Sequence, residues 1–189
     1  MKMKMNNQRH STAVMALLLL VAAVLACSRT GGGDETEKAN KLVGEGNAAV
    51  QEGRKYLTEA GDEMDKMMKT PVAKLKDARA TAVEAIAAYD KAKGKCKEAS
   101  KKYEEASKLK IKDKFRDYLA LKVKEFDKRA ELVETAKGTP QALIDAKNRV
   151  SFVSMANANN ERVARLTKEA DDLAAQSDKL QKDNPDSFK

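Results

Sequence analysis

Residues 71–107 read PVAKLKDARATAVEAIAAYDKAKGKCKEASKKYEEAS. Alanine recurs at every seventh position of this stretch, and a second column of residues runs beside it. The alanine column contains Ala78, Ala85, Ala92, Ala99 and Ala106, and the companion column contains Leu75, Ala82, Tyr89, Cys96 and Tyr103. Two such columns form one stripe on an α-helix, and a stripe of alanine lets another helix approach closely. The stretch therefore predicts a long helix with coiled-coil-like packing, in which Cys96 is a small packing residue rather than a nucleophile.

The preceding residues follow the same period of seven in the units ANKLVGE, GNAAVQE, GRKYLTE and AGDEMDK, from Ala39 onward. One column holds the small residues Ala39, Gly46, Gly53 and Ala60, and the other holds Val43, Val50, Leu57 and Met64. Glycine inside a helix costs about 1 kcal/mol relative to alanine. We expect Gly46 and Gly53 to be tolerated because a second helix lies close to them; a loosely held, frayed first helix is the alternative.

Breaks between helices are predicted at three places. Thr70-Pro71 is typical of an N-cap followed by the first helical residue. The hydrophobic stripe changes register between Ser107 and Lys114, which favours a joint there, with Asp113 as a cap, over one continuous bent helix. Gly138-Thr139-Pro140 predicts a helix end and a new start.

Two further helices follow from the spacing of apolar residues. The third is predicted from Phe115, Leu119, Phe126, Ala130 and Val133. The last is predicted from Leu143, Ala146, Val150, Val153, Val163, Leu166, Ala170, Leu173 and Leu180. Helices joined by tight turns run antiparallel. The fold class is therefore all-α, an elongated antiparallel helical bundle of about four long helices spanning residues 37–183, with residues 184–189 as a disordered tail.

The N-terminal region has the pattern of a secretory leader. Residues 1–12 carry Lys2, Lys4 and Arg9 and no acid, and residues 13–26, AVMALLLLVAAVLA, are uninterruptedly apolar. Fourteen residues are too few for a transmembrane helix, which needs about 20. The pattern predicts a signal peptide over residues 1–26, with a retained membrane anchor as the alternative.

Val24-Leu25-Ala26-Cys27 resembles the lipobox of bacterial lipoproteins, in which a small residue precedes an obligatory cysteine. The resemblance covers only about the first 28 residues, and Leu25 departs from the commoner small residue at its position. It implies cleavage after Ala26, thioether lipidation of Cys27 and acylation of the new amino terminus. Cleavage by an ordinary signal peptidase, which leaves a free Cys27, is the competing interpretation.

The residues after Cys27 bear on where the protein is held. In Gram-negative lipoproteins of this kind, Ser28 does not resemble an inner-membrane retention signal, so the resemblance implies the outer membrane, facing the periplasm. Residues 27–36 contain Gly31, Gly32 and Gly33 and predict a flexible tether.

Basic residues are concentrated in one part of the chain. Residues 91–129 contain fifteen Lys and Arg against seven Asp and Glu, a local net charge of +8. This region is a candidate contact for an anionic lipid or envelope polymer, and its strongest candidates are Lys108, Lys110, Lys112, Lys114 and Arg116. A solubilising helix surface interleaved with acids is the alternative. Nucleic acid is not an expected partner, because an exported chain without a stacking platform does not suit it.

Catalytic residues are scarce. The only histidine is His10, in the predicted leader, so the mature chain lacks the commonest general base and metal ligand. We expect no cofactor, no metal site and no enzymatic activity. The sequence favours a lipid-anchored scaffold or adaptor of the cell envelope that contacts an envelope protein or a second copy of itself; a binding module for anionic polymers or lipids through residues 91–129 is the alternative.

Overall fold

Four long helices and one short helix form the structure, a computed structural model that describes residues 34–71 and 74–188. The helices are α1 (Asp34–Lys69), α2 (Leu75–Ser107), α3 (Asp113–Ala136), the short α4 (Gly138–Asp145) and α5 (Arg149–Asp183), and a 3-10 turn (Pro185–Phe188) follows. The predicted all-α bundle is confirmed. At 1.5 Å per residue, the 36 residues of α1 span about 54 Å.

The helices pack in an order that follows the chain. The main contacts join α1 to α2, α2 to α3, and α3 to α5, while α4 lies against both α2 and α5. The predicted columns of α1 and α2 form the core between these two helices: Ala39, Ala60, Ala85, Ala92, Ala99 and Ala106 are buried, as are Tyr89, Cys96 and Tyr103. Leu75 is the exception, because it lies at the end of α2 and is partly exposed.

Gly46 and Gly53 of α1 occupy positions of close helix approach, as predicted. A Cβ added to Gly46 would lie 3.1 Å from Cε1 of the Tyr103 ring, and one added to Gly53 would lie 3.2 Å from Cβ of Lys95. Gly94 of α2, in contrast, has no atom within 4 Å of such a Cβ. The seam between α1 and α2 therefore has no room for larger side chains at Gly46 and Gly53.

Two predicted helix starts differ from the structure. The Thr70 hydroxyl donates a hydrogen bond to the carbonyl of Lys66, so Thr70 ends α1 instead of capping α2, which begins at Leu75. Gly138 begins α4, and Thr139 bonds to Asn159 of α5 instead of capping a helix. In both cases the threonine hydroxyl has a better partner elsewhere.

The joint between α2 and α3 is confirmed. Residues 75–107 and 113–136 form two helices, and Asp113 is the first residue of α3 rather than its cap. The predicted packing residues of α3, from Phe115 to Val133, are all buried.

The last helix ends at Asp183, as predicted, but its predicted start and the predicted disordered tail after it differ from the structure. The chain breaks at residues 146–148, and Asn148 and Ser151 form a capping box that starts α5. Because α5 starts only here, Val150 and Val153 do not continue the predicted stripe and are 80% and 45% exposed. At the other end, Phe188 is buried against the rings of Phe115 and Tyr118, so residues 185–188 are ordered.

Gly46 and Gly94 provide a test of the close approach of α1 and α2. Replacing Gly94 by Leu is expected to raise the free energy of unfolding by up to about 1 kcal/mol, because leucine favours the helix and meets nothing there. Gly46→Leu is expected to lower it by about 1–3 kcal/mol, because the new side chain would overlap the Tyr103 ring. Urea denaturation measures both, and an equal gain from the two substitutions would contradict the packing.

Candidate functional site

One end of the bundle is called the proximal end, because the chain enters it from Cys27. It comprises the start of α1, the loop at residues 108–112 and the turn at residues 185–188. Glu35 Oε2 accepts a hydrogen bond of 3.0 Å from the backbone N–H of Lys110, which fixes the loop beside the first turn of α1. Cys27 and most of the predicted tether lie outside the described residues, although residues 34–36 are helical. The seven Cα–Cα steps from Cys27 to Asp34 can extend about 25 Å at most.

The five predicted basic residues lie together at this proximal end, and all are exposed. Leu109, Ile111 and Phe115, which alternate with them, pack against the core. The apolar side chains of this segment thus face the core, and the cationic ones lie on the surface. Three of the five form local ion pairs: Lys108 with Glu104, Lys114 with Asp117, and Arg116 with Asp113.

Several other basic residues of 91–129 form ion pairs between helices. Lys102 lies 2.7 Å from Glu45, and Lys95 lies 2.6 Å from Glu52. Both pairs join α1 to α2 and are seven residues apart on each helix. On the other side of α2, Lys93 pairs with Glu134 of α3. The structure therefore divides the predicted basic region into ion pairs along the helices and a smaller cationic loop at the proximal end.

The two ion pairs between α1 and α2 also shift the pKa values of their four side chains. The hydrogen bond from Lys102 lowers the pKa of Glu45, and the hydrogen bond from Lys95 lowers the pKa of Glu52. The same bonds raise the pKa of each lysine. These carboxylates and lysines therefore stay charged in the folded protein, and they favour one register of α1 on α2.

A buried ion-pair network was not predicted from the sequence. Glu125 of α3 is fully buried, and its two oxygens accept hydrogen bonds from Lys122 Nζ at 2.6 Å and from Arg129 Nε at 2.8 Å. Arg129 also reaches Asp171 of α5 at 3.4 Å. Lys122 lies over the Phe126 ring, 5.1 Å from its centroid. The spacing of Lys122, Glu125 and Arg129 places them on one helix face, but charged residues alone gave no sign that this face is buried.

Cys96 lies in the core close to this network. Burial raises the pKa of its thiol to about 11. A thiol with that pKa is almost wholly protonated at neutral pH and reacts slowly as a nucleophile. The predicted packing role of Cys96 therefore agrees with its position.

Clusters of metal-ligating side chains are absent from the part of the chain that the structure describes. Within residues 34–71 and 74–188, no three His, Cys, Asp or Glu side chains lie where they could hold a metal ion. In those same ranges, no helix is both long and apolar enough to cross a membrane.

Comparison with known proteins adds no assignment. No family model, no curated protein and no solved structure matches this chain. Its function must therefore be inferred from its own residues.

The opposite end of the bundle is called the distal end, and it carries exposed apolar side chains. It comprises the turn between α1 and α2 and the break at residues 146–148. Arg79 Nη2 donates a hydrogen bond to the carbonyl of Ala146, which joins these two parts of the chain. The large exposed hydrophobic residues of the described chain are all near this end: Met68, Leu75, Val83, Val150, Val153 and Met155. Exposed apolar residues that concentrate in one region are typical of a contact surface.

The buried network gives a clear prediction for stability. Glu125→Gln is expected to lower the free energy of unfolding by about 3–5 kcal/mol, because Lys122 and Arg129 would keep buried charges without their carboxylate. Glu104→Gln, which breaks the exposed pair with Lys108, is a matched control expected to leave the free energy of unfolding almost unchanged, because solvent screens exposed ion pairs. Chemical denaturation measures both, and similar small losses would show that Glu125 is not buried as described.

The Cys96 thiol gives a second prediction. In the folded protein at pH 8, a variant with Cys27→Ser is expected to react with a thiol reagent at least about a hundredfold more slowly than in denaturant, because the folded thiol is buried and has a raised pKa. Rapid labelling without denaturant, followed by absorbance, would contradict the burial of Cys96.

Proposed function

We propose that this chain is a non-enzymatic, lipid-anchored helical scaffold or adaptor of the bacterial cell envelope. The observation that carries the proposal is that the two ends of the bundle differ. The chain enters it from Cys27 at the proximal end, while the exposed apolar residues concentrate near the distal end. Antiparallel helices about 54 Å long separate the two ends.

The lipobox-like sequence supports the anchored part of the proposal. Acyl chains on Cys27 would hold the proximal end at the membrane, since each buried CH₂ contributes about 0.8 kcal/mol and more than one chain gives stable anchoring. The outer membrane, facing the periplasm, is the proposed location if the source is Gram-negative. The distal end would then project away from the membrane.

The distal end supports the scaffold part of the proposal. Val150 is 80% exposed on a helix that otherwise packs against α3 and α4. A large aliphatic side chain in water gains about 1.5–3 kcal/mol when it is fully buried. A partner protein of the envelope, or a second copy of this chain, would bury these residues.

The alternative, a binding module for anionic polymers or lipids through residues 91–129, has narrower support. Lys93, Lys95 and Lys102 are engaged by acids of neighbouring helices. The support for this alternative comes from the cationic loop at the proximal end.

Anchoring is tested by Cys27→Ser. The unaltered protein is expected to fractionate with membranes and to show the mass of an acylated chain that begins at residue 27. The variant is expected to lose both properties while keeping its helical circular dichroism. An unmodified Cys27 in the exported protein would refute the anchor.

The distal contact is tested by photo-crosslinking in cells. A photoreactive residue at Val83 or Val150 is expected to give a discrete adduct, with a partner or with a second copy. The matched controls are Lys97 and Lys124, which are exposed on the middle of α2 and α3 and should give none. Equal adducts at all four positions, or none at Val83 and Val150, would contradict a scaffold that binds through its distal end.

A further inference from the structure

Lys110 and Lys112 differ from the other cations of the proximal loop in their partners. Lys108, Lys114 and Arg116 each have a carboxylate within 4 Å. Lys112 Nζ instead donates to the backbone carbonyl of Asp186 at 2.6 Å. Among the described residues, neither Lys110 nor Lys112 forms an ion pair.

The loop also holds these two lysines in a fixed direction. Ile111, between them, is buried, and Leu109 packs against the same core. A hydrogen bond of 3.0 Å from the N–H of Ile111 to the carbonyl of Leu109 closes a tight turn around Lys110, and the side chains of Lys110 and Lys112 are both exposed. The bond from Lys110 N–H to Glu35 keeps the loop against the first turn of α1. The proximal end therefore carries two exposed lysines that form no ion pair with the residues the structure describes.

We infer that Lys110 and Lys112 bind the phosphate groups of anionic lipids in the leaflet that holds the acylated Cys27. The inference rests on the proposed lipid anchor, which would keep the loop close to that surface because the tether extends about 25 Å at most. Ammonium groups near an anionic bilayer are attracted to it, and the attraction decays within a Debye length, about 8 Å at physiological salt. The anchor would therefore confine the loop to a layer about 25 Å deep at most, from which the lysines can reach the surface where the attraction acts.

The consequence is an orientation for the molecule. An anchor at Cys27 alone would let the bundle tilt freely on its glycine-containing tether. A second contact through Lys110 and Lys112 places the proximal end on the headgroups and directs the long helices, with the apolar distal end, away from the membrane. Lipid binding by the loop would then help to present the distal surface to its partner.

The test separates the loop from the anchor. The chain from residue 28 to residue 189 contains all of the described helices and cannot carry the lipid. This chain is expected to bind vesicles that contain phosphatidylglycerol in preference to pure phosphatidylcholine vesicles. The double substitution Lys110→Gln and Lys112→Gln is expected to reduce that binding by about 25-fold, or about fivefold for each lysine.

The matched control removes the same charge at the other end. Lys76→Gln with Lys147→Gln, both exposed at the distal end, is expected to change binding by less than twofold. Equal losses of vesicle binding in the two variants would show that binding depends only on net charge, and this would overturn the inference. So would absence of a preference for anionic vesicles, or binding to soluble polyphosphate with none to vesicles.

Failure of the anchor would be seen separately. Mass analysis of Cys27 in the exported protein reports on lipidation and does not depend on the loop lysines. A lipidated Cys27 together with unchanged vesicle binding by the loop variant would refute the lipid contact and leave the anchored scaffold intact. Circular dichroism of both variants confirms that the bundle is folded.

Discussion

Gly46 and Gly53 of α1 face Tyr103 and Lys95 of α2 across a seam where an added Cβ would already be in tight contact. Two helices at this separation cannot slide past one another, because larger side chains would collide on either side of each glycine. The small residues of both helices thus set the distance between α1 and α2. The positions of the other helices depend on this pair, since α3 and α4 pack against α2.

Two ion pairs between α1 and α2 favour the same packing of these helices as the small residues do. Glu45 and Glu52 are one heptad apart on α1, and Lys102 and Lys95 are one heptad apart on α2, so both pairs form in a single antiparallel register. Exposed ion pairs contribute little to stability, but a displaced register would separate both at once. On the other side of the bundle, the buried Glu125 network joins α3 to α5 through Arg129 and Asp171. The register also places the loop at residues 108–112 beside the start of α1, and this juxtaposition underlies the proposed contact with lipid.

The sequence predicted those parts of the fold that depend on local periodicity. The alanine column of α2 and the glycines of α1 identified the seam correctly, because a heptad repeat defines a helix face without knowledge of the partner. The sequence did not predict the burial of Glu125, because that burial depends on how α3 packs against α5. The capping box of Asn148 and Ser151 was missed because apolar spacing suggested a continuous helix. Phe188 was assigned to a disordered tail because its partners, Phe115 and Tyr118, are more than 60 residues away in the chain. For the candidate site, the sequence identified the proximal cations but not which of them form ion pairs within the described part of the chain.

The register of α1 on α2 can be measured directly by crosslinking paired cysteines in a chain with Cys27→Ser and Cys96→Ala. The structure predicts that Glu45→Cys with Lys102→Cys, which replaces an observed contact, gives an efficient crosslink within one chain with a short bismaleimide. Glu45→Cys with Lys95→Cys, displaced by seven residues or about 10 Å along the helix, should react poorly. Equal yields from the two pairs, or crosslinks formed mainly between chains, would contradict the packing of α1 against α2 of the same molecule.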